Sequence, residues 1–183
     1  MNEPDDLACA TLPTPLGVLT LVARADALVG VRLPGQRSAP PPEASHAPEH
    51  PVLALAAAEL TAYFSGALHE FETPLHVEGT PFQRSVWRAL AEIPYGHRTT
   101  YAALAAALGR PRAVRAVGAA NARNPLPLFL PCHRVVGRDG ALVGYSGGVD
   151  AKRWLLGHED RALGRAAVPR ATPGAVDRFA RIA

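Results

Sequence analysis

The chain is 183 residues long and 48% apolar, with two cysteines and no apolar run approaching a membrane span, so it reads as a globular protein of one or two domains without a disulfide framework. Charge is divided along its length: residues 1–81 carry three Arg and ten acidic residues (−7), residues 82–160 eleven Arg or Lys and five acidic residues (+6), and residues 161–183 a further +4. A basic segment of that size is either a solvated arginine-rich face or the electrostatic footprint of a nucleic-acid binder.

The first six residues are acidic and lack the basic start and apolar core of an export signal, so a cytoplasmic location is expected. Residues 17–23 and 27–33 are short apolar runs separated by Arg24-Ala25-Asp26, the pattern of paired strands. Six prolines in residues 34–51 predict an irregular surface connection. Leu53, Ala56, Leu60 and Phe64 fall at helical spacing, Ser65-Gly66 closes that helix, and residues 71–77 can return as a strand. Thr80 as N-cap and Pro81 at the first helical position open an amphipathic helix over residues 82–93 that presents Val86, Leu90 and Ile93. These elements predict an N-terminal α/β domain (1–78), a more helical domain (79–162) and a basic, flexible tail (163–183).

Thr100 caps a helix over residues 101–108, Gly109-Arg110-Pro111 breaks it, and residues 112–122 form another, giving a helix-turn-helix outline. Alanines and Gly118 leave both helices with small faces. Such faces serve close helix packing, or let the second helix sit against a nucleic-acid groove with Arg112 and Arg115 at its basic start.

Pro131-Cys132-His133-Arg134-Val135 places a cysteine beside a base. The approach to it, residues 124–131, contains three prolines that fix backbone dihedrals and apolar residues that anchor it, so Cys132 is expected on a rigid, buried support. A free thiol near pKa about 8.5 is only slightly ionised at neutral pH, and burial lowers that fraction unless a base or positive field compensates. His133 and Arg134 are the nearest candidates. Neighbours on a strand point to opposite faces, so contact between Cys132 and His133 requires a turn or a bridging water. Glu159 is a helical carboxylate able to orient the base. Cys9 has no basic neighbour and reads as an inert small hydrophobe.

On these residues, together with Arg115-Ala116-Val117-Gly118, Asn124-Pro125, Gly144-Tyr145-Ser146-Gly147-Gly148 and Lys152-Arg153-Trp154-Leu155-Leu156, the chain resembles the O6-alkylguanine-DNA alkyltransferases. The resemblance spans roughly residues 10–160 and is most specific from Gly79 to Glu159. It implies a mixed α/β (α+β) chain: an N-terminal ribonuclease-H-like α/β domain and a C-terminal winged-helix-like domain with a helix-turn-helix.

The activity it implies is suicidal DNA repair. Cys132 attacks the alkyl carbon on O6 of a guanine, keeps the alkyl group as a thioether and is not regenerated. In the family the thiolate forms through a water to histidine and on to glutamate, which maps onto Cys132, His133 and Glu159. Asn124 would brace the turn and Tyr101 would donate toward the leaving base. The Ser146 backbone N–H would bond O6, and the carbonyls of Cys132 and Val135 would read the exocyclic amine. Pro127 and Tyr145 would line the alkyl pocket, and Gly147 would let the loop close. The nucleotide must leave the duplex to react. Arg115 is the expected finger that fills its place, with the second helix in the minor groove, and Arg110, Arg112, Arg123 and Arg138 are candidate phosphate contacts. Double-stranded DNA carrying O6-alkylguanine is the expected partner, for a monomer bound to the nucleoid when on DNA; cooperative assembly and O4-alkylthymine repair stay open. Certain relatives bind zinc in the N-terminal domain. Here Cys9, His46, His50, His69 and His76 lack compact ligand spacing, so neither metal nor cofactor is expected. Two rival classes are a non-catalytic alkyltransferase-like binder, which would lack the reactive cysteine, and a cysteine acyl hydrolase, which would turn over.

Overall fold

In the computed structural model, which describes residues 7–34 and 44–165, the chain separates into two units, Met1–Val77 and Glu78–Ala183. The first is built on a four-stranded sheet of order β3-β2-β1-β4, comprising β1 (Leu7–Thr14), β2 (Gly17–Arg24), β3 (Ala27–Arg32) and β4 (Ser45–His46). β1, β2 and β3 are antiparallel neighbours, and β4 lies parallel to β1 through Ala8 and Cys9. Helix α1 (Pro51–Ser65) covers β1, β2 and β3. It ends where Gly66 takes a left-handed conformation (φ 81°), with its N–H returning to the last turn.

Three expectations for this unit are corrected. The buried face of α1 is Val52, Leu53, Ala56, Glu59, Leu60 and Tyr63, a stripe centred on Ala56 and Tyr63 that leaves Phe64 at its edge and only half-buried. Residues 71–77 form no strand: Leu28 N–H donates to Pro74 O and His76 N–H to Leu28 O, a single parallel bridge. The proline-rich connection is not wholly irregular, since Ser45–His46 adds an edge to the sheet. The buried Glu59 carboxylate accepts from the Glu72 and Thr73 N–H groups and the Thr73 hydroxyl (2.5 Å), which ties the segment after α1 back onto it.

The second unit opens with α2 (Pro81–Ala91), whose start is a full capping box. Thr80 Oγ1 accepts from Gln83 N–H (3.2 Å), and the Thr80 N–H donates to Gln83 Oε1 (2.9 Å). β5 (Thr99–Thr100) leads into α3 (Tyr101–Ala107), with Thr100 Oγ1 capping the Ala103 N–H. α4 (Val114–Ala122) follows, and α5 (Gly148–Ala162) closes the unit. α4 packs on both α2 and α3, and Trp87 Nε1–H donates to the Ala120 carbonyl (2.9 Å). The second helix of the helix-turn-helix starts at Val114, so Arg112 lies in the turn before it and not on its first residue. β5 pairs in parallel with β6 (Val135–Val136), joining Thr99 to Val135 and Thr100 to Val136. That short pairing sets the start of α3 beside the segment carrying Cys132. The tail beyond Arg165 lies outside the described residues.

Replacing Thr80 by Ala removes the side-chain half of the α2 capping box, the bond that Thr80 Oγ1 accepts from Gln83 N–H. We expect a loss of about 1 kcal/mol, measured as a lower urea midpoint at unchanged slope.

Candidate active site

Cys132 begins a 3-10 turn, Cys132–Arg134, that enters β6. The approach is locked by its own hydrogen bonds. Asn124 Nδ2 donates to Leu130 O (2.7 Å), Asn124 Oδ1 accepts from Leu126 N–H (3.0 Å), and Cys132 N–H donates to Leu130 O (2.7 Å). Leu128, buried in this loop, holds a positive φ of 80°, a strain the surrounding packing must sustain. Asn124 therefore braces the loop, and its side chain also hydrogen-bonds toward the cysteine.

A turn, and not a strand, thus carries Cys132 and His133. His133 is fully buried and its Nε2 is 2.9 Å from Glu159 Oε1. Its Nδ1 is buried without a hydrogen-bond partner, as is the Tyr145 hydroxyl, whose ring meets the imidazole edge-on at 6.4 Å. Glu159 receives more than the histidine. Arg134 donates to it from Nε (3.1 and 3.2 Å) and Nη2 (2.9 Å), and the Gly96 N–H donates to Oε2 (3.0 Å).

Burial sets the electrostatics. It pushes the Cys132 thiol up to about 11, against the Asn124 hydrogen bond and the Lys152 charge, which pull it down. Burial likewise lowers His133 although Glu159 favours its charged form, so the pair at rest is thiol and neutral imidazole. For Glu159, burial opposes ionisation, but His133 and Arg134 outweigh it and hold the carboxyl far below the usual range. Glu159 is a fixed anion, not a proton acceptor.

The remaining expected residues fall into two groups. Tyr101, at the first position of α3, has its hydroxyl 3.4 Å from Val143 O and accepts from Asn121 Nδ2 (3.5 Å). Burial and the Cys132 charge both raise its pKa, so it stays a donor. Pro127 is buried in the loop before the cysteine, and Tyr145, Ser146 and Gly147 form the segment leading into α5. Val135 O is not a free acceptor, because Lys152 Nζ donates to it at 2.6 Å. Arg110, Arg112, Arg115, Arg123 and Arg138 are exposed, Arg115 on α4 beside exposed Ala116, Ala119 and Ala122. Arg110 also lies over the Phe82 ring, 5.4 Å from its centroid. The structure does not bring these arginines into the buried Cys132–His133–Glu159 cluster. Among the described residues, no group of three His, Cys, Asp or Glu side chains is placed to hold a metal.

Residues 7–77 match the family described as 6-O-methylguanine DNA methyltransferase, ribonuclease-like domain, and residues 81–161 match its DNA binding domain. The chain belongs to the 6-O-methylguanine DNA methyltransferase family. Among similar proteins, the Bacillus subtilis methylated-DNA–protein-cysteine methyltransferase, constitutive, is 46% identical over 81% of this chain and 93% of its own. A Methanosarcina barkeri methylated-DNA–protein-cysteine methyltransferase is 56% identical over 59% of this chain and 68% of its own. The fold matches Mycobacterium tuberculosis OGT in complex with DNA at a TM-score of 0.79, with 41% identity over 83% of this chain and 92% of that one.

For a methyltransferase of this family, sequence reasoning left Lys152 and Gly96 without roles and offered Arg134 only as a positive field for the thiol. Lys152 is fully buried; its Nζ donates to the carbonyls of Val135, Val143 (2.9 Å) and Gly144 (3.3 Å), and burial lowers its pKa to about 8 against the pull of Cys132. Its signal was its solitude, as the one lysine of the chain.

Two outcomes follow from this electrostatics. Because the Cys132 thiol sits near 11, its thiolate fraction grows with pH, so iodoacetamide labelling mapped to Cys132 should keep accelerating above pH about 9. Glu159→Ala strands the buried Arg134 charge and should cost about 3–5 kcal/mol in urea unfolding.

Proposed function

We propose that the protein repairs alkylated DNA by moving the alkyl group from O6 of guanine onto Cys132, once per molecule. The observation that carries this reading is the buried cysteine followed in one turn by a histidine bound at 2.9 Å to a fixed carboxylate. The relatives named for methyl transfer from methylated DNA to a protein cysteine support the substrate, and the relative described in complex with DNA supports the partner.

The thiol proton passes through a water to His133 Nδ1, the buried ring nitrogen without a protein partner, while Nε2 stays bonded to Glu159. The imidazolium so formed lies against the fixed Glu159 charge, which stabilises it. The thiolate pair then forms the S–C bond as the C–O6 bond breaks with its electrons left on the guanine oxygen. Tyr101 donates a hydrogen bond to the departing base, and a proton returned to the ring lets guanine leave neutral. The product is a thioether, and no group beside it is suited to hydrolyse it, so the protein is consumed.

Flipping brings the base to the buried thiol. Arg115, exposed at the start of α4, enters the stack, and the alanine face of that helix suits the narrow minor groove. Ser146 N–H bonds O6, and Pro127, Tyr145 and Gly147 bound the alkyl pocket. The exocyclic amine is read by the Cys132 carbonyl, with Val135 O shared with Lys152. Arg110, Arg112 and Arg138 serve as phosphate contacts.

Incubation with duplex DNA bearing one O6-methylguanine should add a single methyl to the intact mass, mapped to Cys132 and limited to one equivalent. Unmodified protein on an unrepaired lesion would point to a non-catalytic binder, and repaired DNA with unmodified protein to a turnover enzyme. Cys132→Ser should abolish transfer and keep DNA affinity. Arg115→Ala should slow repair of duplex more than reaction with free O6-benzylguanine, as paired single-turnover rates would reveal.

A further inference from the structure

The far end of the His133–Glu159 pair is wrapped by a segment that the chemistry above does not use. Ile93 O accepts from Arg134 Nη1 (2.6 Å), the Tyr95 ring lies under the guanidinium at 5.5 Å, and Gly96 N–H donates to Glu159 Oε2 (3.0 Å). Residues 93–96 thus form a cradle around both partners of the buried ion pair. Gly96 is the critical point, with φ 68° and a bare Cα on which Leu163 sits; a Cβ there would collide with Leu163 Cδ1. Arg165 adds a second tie, its Nη1 donating to Gly96 O at 2.9 Å. Leu163 and Arg165 lie past the end of α5 and beyond the matched family region, which ends at residue 161.

We infer that Gly96 is a positioning residue for alkyl transfer, and that Leu163 and Arg165 act through it as a lock on the relay's carboxylate. Gly96 N–H fixes one carboxylate oxygen, so that the other meets His133 Nε2 at the angle that stabilises the imidazolium. A loosened Gly96 lets the carboxylate turn toward Arg134, which still offers it three bonds, and away from the histidine. Thiolate formation then becomes less favourable. The charged and titratable groups facing this pair are Cys132 and Arg134 on the turn, Lys152 on α5, Tyr145 on the loop and Tyr95 in the cradle. None of them is altered by a change at Leu163 or Arg165.

The inference rests on the transfer reading above, and the test separates the two. Single-turnover methyl transfer from saturating duplex with one O6-methylguanine is followed from about pH 6 to 9 for wild type, Leu163→Ala, Leu163→Met, Arg165→Ala and Arg165→Lys, with duplex affinity and melting temperature recorded for each. Leu163→Ala should slow transfer roughly 3- to 10-fold and steepen its rise with pH, since more of the thiolate must then form by direct deprotonation, with duplex affinity kept and Leu163→Met close to wild type. Arg165→Ala should slow it about 2-fold and Arg165→Lys restore it, a comparison that stands even if Leu163→Ala fails to fold because Arg165 is exposed. Equal rates and equal pH dependence in all folded variants would overturn the inference alone, as would losses that track melting temperature without a changed pH dependence. Wild type that accepts no methyl would instead overturn the transfer reading itself.

Discussion

The buried Glu159 carboxylate is the constraint on which the second unit depends. An isolated carboxylate in that position would cost several kcal/mol to desolvate and would take up a proton instead. It stays ionised because three elements meet on it: the turn carrying His133 and Arg134, the segment ending in Gly96, and α5 itself. One residue later, Asp160 pairs with the buried Arg98 just before β5, so consecutive positions on α5 fix both the reactive turn and the strand that leads to Tyr101. Ion pairs of this kind are weak evidence for stability. Here they do something else, which is to specify where Cys132, His133 and Tyr101 sit relative to one another.

Lys152 complements that arrangement from the first turns of the same helix. Its ammonium gathers carbonyls from β6 and from the loop before Tyr145, so the loop that would cover a substrate base and the strand that follows the cysteine share one donor. A positive charge there lowers the Cys132 pKa from what burial alone would impose, though not to neutrality. In the proposed transfer Cys132 therefore depends on His133 to lose its proton.

The parts of this architecture legible in the sequence were those set by local rules. Thr80-Pro81 and Thr100 announced their helices because capping is a matter of a few consecutive residues, and Cys132-His133 with Glu159 stood out through a motif and a family resemblance. β1 was missed for a physical reason. Ala8, Cys9 and Ala10 are all buried, so the strand lacks the alternation that marks a half-buried one, and Pro13 falls in the part of it that β4 does not cover. The bridge at Leu75 and the edge strand Ser45–His46 owe their existence to distant partners. Gly96 was silent because it acts through a backbone N–H, whereas Arg134 read as a candidate for polarising the thiol when its guanidinium in fact serves the carboxylate.

Cys132 exposes only 2% of its surface and is held as a thiol. Oxidants, disulfide exchange and stray electrophiles all require an accessible thiolate. On the proposed transfer, a molecule that acts only once gains nothing from a nucleophile that is permanently primed, since every accidental encounter would spend it. The same burial that slows the chemistry at rest is therefore a means of storage, keeping an unspent protein intact.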